Sequence, residues 1–171
     1  IVVLLIGAGI IIACWKSSGL DRRIALFALK LIGTSVRLQL IVWFLLSLVL
    51  SMFLPNAVVA AMLCPIAVSM VKFSMGTDEI TPGNKTLYLI LLAIVWGAGL
   101  GGFGTPLGGA MNLIAIEHIE TLTSKEYMYI TWTLKMLPYL LILAAGTCIY
   151  LLFIKTDSHR LEGSREYFKT Q

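Results

Sequence analysis

Two amides, Asn56 and Asn112, carry the clearest chemical potential in this chain. Each offers a neutral carbonyl oxygen that suits a cation and an N–H pair that suits an anion. Each also stands beside backbone that resists continuous helix. Pro55 precedes Asn56, and Asn112 follows "GAGLGGFGTPLGG", residues 97–109, which hold seven glycines and Pro106. Glycine and proline are poor helix formers. At membrane depth such backbone survives only where it is buried in protein or lines a wet cavity. Its freed carbonyls can then coordinate a hard cation, and the N-terminus of the next half-helix can face an anion. A paired cation and anion site is the chemistry these residues predict. Simple kinking is the structural alternative, and Gly97 with Gly101 also forms the G-x-x-x-G spacing of close helix packing.

The elements that must hold these residues are apolar. Of 171 residues, 58% are hydrophobic and 13% charged, whereas soluble domains run at about 45–50% and about 25%. Apolar runs cover residues 1–14, 38–54, 57–71, 87–100 and 139–154. A spanning helix needs about 20 such residues, so some runs fall short alone. A signal peptide would supply one run near the start, not five. The expected fold class is all-α: a polytopic membrane protein. Its membrane domain, 1–155, would comprise a helix over 1–15, an amphipathic interfacial helix over 20–33, a hairpin over 37–75, a broken helix over 86–120 and a helix over 131–154. Residues 156–171 would form a polar tail or linker. The hairpin can be a re-entrant pair or two ordinary spans; periodicity alone favours the spans. The crossing itself is expected from Met136 to Ile154, which puts Pro138 in a first turn, where proline is tolerated. The chain begins on Ile1 within an apolar run, which reads as a fragment or a processed piece.

Charge predicts orientation. The formal net charge is +4, but the basic residues flank apolar runs instead of forming a nucleic-acid surface. Lys16, Arg22, Arg23, Lys30 and Arg37 face only Asp21 across residues 16–37, and Lys155, Arg160, Arg165 and Lys169 lie in the tail. Glu117, Glu120 and Glu126 outnumber Lys125 in 117–126. Basic loops stay in the cytoplasm, so 16–37 and 155–171 should face inward and 117–126 outward, in a multi-pass cell membrane protein.

Other motifs are weaker. Gly97–Gly102 fits G-x-G-x-x-G, but a dinucleotide site needs a soluble βαβ unit around it. Cys14, Cys64 and Cys148 have no metal-ligand spacing and read as small buried hydrophobes. His118 and His159, the two histidines, fall near membrane ends. No Ser/His or paired-acid arrangement falls at membrane depth, so an enzyme is not expected, and no cofactor is implied.

The ordered series "GLDRRIAL", "PNAVVAAMLCPI" and "GGFGTPLGGAMNLIAI" resembles the divalent anion:sodium symporter family, within the ion transporter superfamily. In that family a Ser-Asn-Thr triplet sits at the tip of a re-entrant hairpin. Here Pro55, Asn56 and Ala57 take those places, and only the asparagine is shared. The family's second motif aligns without a gap on Gly101, Gly102, Thr105, Gly108 and Asn112. Gly109, Ala110 and Met111 replace its Thr-Pro-Pro. The resemblance implies a homodimeric transporter built from two inverted repeats, of which this chain is one, in a lipid bilayer. It also implies a substrate site at Asn56, Ala57, Gly108 and Asn112, and a sodium site at Asn56, Gly101, Gly102 and Thr105. The cargo would be a small anion such as a di- or tricarboxylate or sulfate, with sodium as coupling ion. The Thr105–Gly108 core is also similar to arsenite permeases and cation/proton antiporters. Proton coupling often needs an intramembrane acid, and the apolar runs hold no Asp or Glu. A noncatalytic membrane scaffold is the reading from another class.

Overall fold

The computed structural model describes residues 35–75 and 84–154, together with Ile10, Cys14, Ser17 and Ser18. The expected helix over 1–15, the interfacial helix over 20–33 and the tail over 156–171 lie outside the described residues. The fold is all-α, with no strand among the described residues. Five helices follow one another: α1 (Val36–Ser51), α2 (Asn56–Met75), α3 (Lys85–Gly104), α4 (Ala110–Thr123) and α5 (Tyr129–Phe153). At 20 and 25 residues, α3 and α5 are long and apolar enough to cross a membrane, whereas α1 is a shorter apolar helix.

Helix α1 forms the centre. Val36, Leu40, Trp43 and Phe44 are fully buried, and they pack with Ile90, Ala93 and Ile94 of α3 and Val59, Leu63 and Met70 of α2. Glycine sets the spacing of α1 on α3. A Cβ on Gly97 would strike the carbonyl oxygen of Phe44, and one on Gly101 would lie 2.8 Å from the carbonyl carbon of Leu48. The G-x-x-x-G spacing thus lets two backbones touch. Polar groups inside this packing are paired, as burial requires. Trp43 Nε1 donates to Gln39 Oε1 at 3.2 Å, and Ser51 Oγ donates across to the Ala98 carbonyl at 2.7 Å.

Two prolines sit inside helices. Pro65 in α2 cannot donate to the Ala61 carbonyl, and Pro138 in α5 cannot donate to that of Leu134. Pro138 therefore does not occupy a first turn. Helix α5 starts at Tyr129, nine residues earlier, because the mixed stretch "YITWTLK" is helical although its hydropathy is diluted by Thr131, Thr133 and Lys135. Much of α5 is open to its surroundings: Ile142 is 70% exposed and Phe153 82%. An apolar face of that size suits lipid or protein, not water.

Candidate functional site

Helix α1 ends at Ser51. Its last turn tightens, with Met52 N donating to Val49 O at 3.2 Å and Phe53 N to Leu50 O at 3.1 Å. Pro55 immediately precedes α2. Its fixed φ suits a helix start and its missing N–H is not needed there, and its carbonyl accepts from Val58 N at 2.9 Å and Val59 N at 3.1 Å. Asn56 and Ala57 follow in the first turn, both exposed.

The second interruption spans residues 105–109. Thr105 leaves the helix in extended geometry, and Gly109 re-enters α4 in extended geometry. Between them Gly108 N donates to Thr105 O at 3.2 Å, closing a turn. The last carbonyls of a helix have no partner within it, and here side chains supply several. Both N–H groups of the Asn112 amide are used, one on Gly102 O at 2.7 Å and one on Thr105 O at 2.8 Å. Trp132 Nε1, from α5, donates to Phe103 O at 3.0 Å. Asn112 is 9% exposed and Thr105 3%.

The two interruptions meet. The Thr105 hydroxyl donates to the Met52 carbonyl. A Cβ on Gly102 would lie 3.2 Å from Asn56 Nδ2 and 3.4 Å from Gly108 O. A Cβ on Gly108 would lie 2.5 Å from both Ser51 O and Gly102 O. Asn56, Gly102, Thr105 and Gly108 therefore share one small region, with Asn112 on its far wall. Gly101 sits one residue away and is applied to the backbone of Leu48. Ala57 lies beside Asn56 on the open side. Met52, Ser51, Phe103 and Trp132 were not singled out in the sequence. They enter through backbone carbonyls or through contacts 29 to 53 residues apart, and no local spacing announces them.

Chemically, this region gathers oxygen atoms without any full negative charge. Such a set suits a hard monovalent cation better than a transition metal, and among the described residues no group of three His, Cys, Asp or Glu side chains could hold a metal. The Gly102 carbonyl accepts one N–H from Asn112 and keeps a second lone pair, whereas the Thr105 carbonyl accepts from both Asn112 and Gly108 N. An apolar cavity of about 510 Å³ lies elsewhere, between α3 and α5, lined by Trp96, Gly99, Gly146 and Tyr150 among others. A smaller one of about 270 Å³ borders the break at Pro106 and Leu107 and reaches Glu120 and Tyr127.

Apolar helices with paired interruptions meeting inside the bundle define a class: helical membrane proteins of the transporter kind, where irregular backbone lines a binding region. The citrate transporter family profile matches residues 1–166. The chain belongs to that family and is of the divalent anion:sodium symporter type. It is 26% identical to the "Sodium-dependent high-affinity dicarboxylate transporter 3" of Caenorhabditis elegans, over 98% of this chain and 32% of that protein. It is 24% identical to the "Sodium-dependent dicarboxylate transporter SdcS" of Staphylococcus saprophyticus, over 99% of this chain and 34% of that protein. The same values hold for the transporter of that name in Staphylococcus aureus. The chain thus spans about a third of the length of these curated relatives. Family and relatives are transporters, not enzymes.

Proposed function

We propose that this chain supplies half of the substrate site of a sodium-coupled carrier for a small di- or tricarboxylate. The observation that carries the reading is the meeting of the two interruptions, with the Asn56 amide against Gly102 and the Thr105 hydroxyl on the Met52 carbonyl. Sodium would be held by oxygens of this region, from Asn56, Gly101, Gly102 and Thr105. The anion would lie on the open side, against Asn56, Ala57 and the Gly108 backbone. Cation occupancy would then favour anion binding, because both share Asn56, and that linkage couples the two fluxes. With both N–H groups already used, Asn112 serves this site by holding the break in shape.

The exposed side of Asn56 and Ala57 is where a second, inverted repeat would complete the site. The re-entrant form of the α1–α2 hairpin belongs to the same reading. So do a homodimer, a cell-membrane location with 16–37 and 155–171 inside, and 117–126 outside.

Uptake of radiolabelled citrate or succinate into liposomes bearing the full-length protein, with and without a sodium gradient, tests the reading. Asn56→Ala should abolish both sodium-stimulated uptake and sodium binding. Asn56→Asp keeps the shape and acceptors but adds a charge that repels the anion, so it should lose uptake and keep sodium binding. Sodium-stimulated uptake at the wild-type level in Asn56→Ala would overturn the assignment.

A further inference from the structure

The residues between the break and α5 form a closed circuit of hydrogen bonds. From the end of α3, Phe103 O accepts from Trp132 Nε1 in the first turn of α5. Just before α5, Tyr127 N donates to Glu120 Oε1 of α4 at 2.8 Å. From α4, Asn112 returns to Gly102 O and Thr105 O at the end of α3. Lys135 Nζ, one turn beyond Trp132, stands 5.2 Å from the centre of the Tyr127 ring. The break at 105–109 is the stretch this circuit encloses.

We infer that Trp132 is a positioning residue for the cation site: its indole N–H fixes the last turn of α3, and through it the carbonyls of Gly102 and Thr105. Three observations carry this. The indole is buried, with Trp132 only 7% exposed. The bond reaches a carbonyl that the helix itself cannot satisfy, because it lies in the final turn. The same turn carries Gly102, whose Cα faces Asn56. Without the indole N–H, the Phe103 carbonyl must find another donor, and the easiest motion is a tilt of the last peptide planes of α3. That tilt turns the adjoining Gly102 peptide, whose oxygen is 2.7 Å from Asn112. Trp132 touches neither cargo. It acts through Phe103.

The inference rests on the proposed sodium site, so its test needs an arm that does not. Two replacements separate shape from hydrogen bonding in the full-length protein. Trp132→Phe removes the donor and part of the ring. Incorporation of benzothienylalanine at 132 keeps the ring shape and removes only the N–H. The first arm is amide hydrogen exchange: both variants should speed exchange of residues 105–109 at least about fivefold, as the loss of one hydrogen bond implies, while exchange within 139–153 stays unchanged. The second arm is flux: the sodium concentration for half-maximal uptake should rise about fivefold by the same reasoning, with little change in maximal rate. If the wild type shows no sodium stimulation, the functional reading fails and the exchange arm alone decides Trp132. Exchange at 105–109 that matches wild type in the benzothienylalanine protein overturns the inference. So does a rise spread evenly along α5, which would mark Trp132 as a packing residue.

Discussion

The two interruptions look alike in sequence, each a helix breaker followed by an asparagine, yet the molecule treats them differently. At 105–109 the asparagine is buried and faces inward, with both amide hydrogens on carbonyls of the preceding helix. At 52–55 the asparagine is exposed, on the first turn of α2, with its side chain against the Cα of Gly102. One break is framed by its own asparagine; the other presents its asparagine. An amide beside a break is therefore not one signal but two. What separates them is whether the residues across from it are carbonyls in need of donors.

The sharpest way to break this comparison is at Gly108, where frame and hairpin touch. Gly108→Ala places a methyl 2.5 Å from two backbone oxygens, Ser51 O and Gly102 O. Neither can swing aside as a side chain would, so a loss of about 3 kcal/mol or more is expected. The readout is a large drop in the melting temperature and in the folded yield in detergent. Gly99→Ala is the matched control, because nothing lies within 4 Å of its Cβ, and it should melt at or slightly above the wild type, since alanine is the better helix former. Equal melting of the two variants would separate the breaks that the geometry joins.

Next in size is Asn112→Ala. It strands the Gly102 carbonyl and leaves the Thr105 carbonyl only the bond from Gly108 N, and the expected cost is about 1–3 kcal/mol. The corresponding Asn56→Ala protein, whose amide is exposed, should melt within error of the wild type while losing uptake. If Asn56→Ala destabilises as much as Asn112→Ala, both asparagines are frame and the distinction falls.

Ser124→Gly is the smallest effect and lies outside both breaks. Ser124 ends α4 with φ of 53°, and its N–H donates to Glu120 O at 2.9 Å. Glycine adopts that left-handed geometry freely, so the variant should gain up to about 1 kcal/mol of stability. No gain would mean that the left-handed backbone at Ser124 carries no strain for glycine to relieve.

Much of the fold was legible because its signals are local. Pro55, Pro106 and the glycines at 108–109 mark where helices stop, although the helix runs on through Gly101, Gly102 and Gly104, and the apolar runs mark where they pass. Gly97 and Gly101 could be read as packing residues from spacing alone, and they lie against the α1 backbone. The start of α5 at Tyr129 lies two residues from the expected 131, but the place of Pro138 was not legible, since Thr131, Thr133 and Lys135 dilute the hydropathy of the turns that precede it. The candidate site was half legible. Asn56, Gly102, Thr105 and Gly108 stand out by type, and they gather in one region. What each side chain bonds to could not be read, because the partners are main-chain oxygens. Every residue has one, so a sequence gives no hint which of them lacks a donor. The link from Thr105 to Met52 and that from Trp132 to Phe103 are of this kind.

The contact of Gly97 and Gly101 with the α1 backbone has a mechanical consequence. Two helices whose main chains touch have no side-chain layer between them to shear, and interlocked backbone slides poorly. Helices α1 and α3 therefore behave as one rod, with both interruptions fixed at its end. Any large rearrangement of this molecule would carry the pair of breaks as a passenger, and hinges should be sought at its borders, in the connections on either side of α1 and α3.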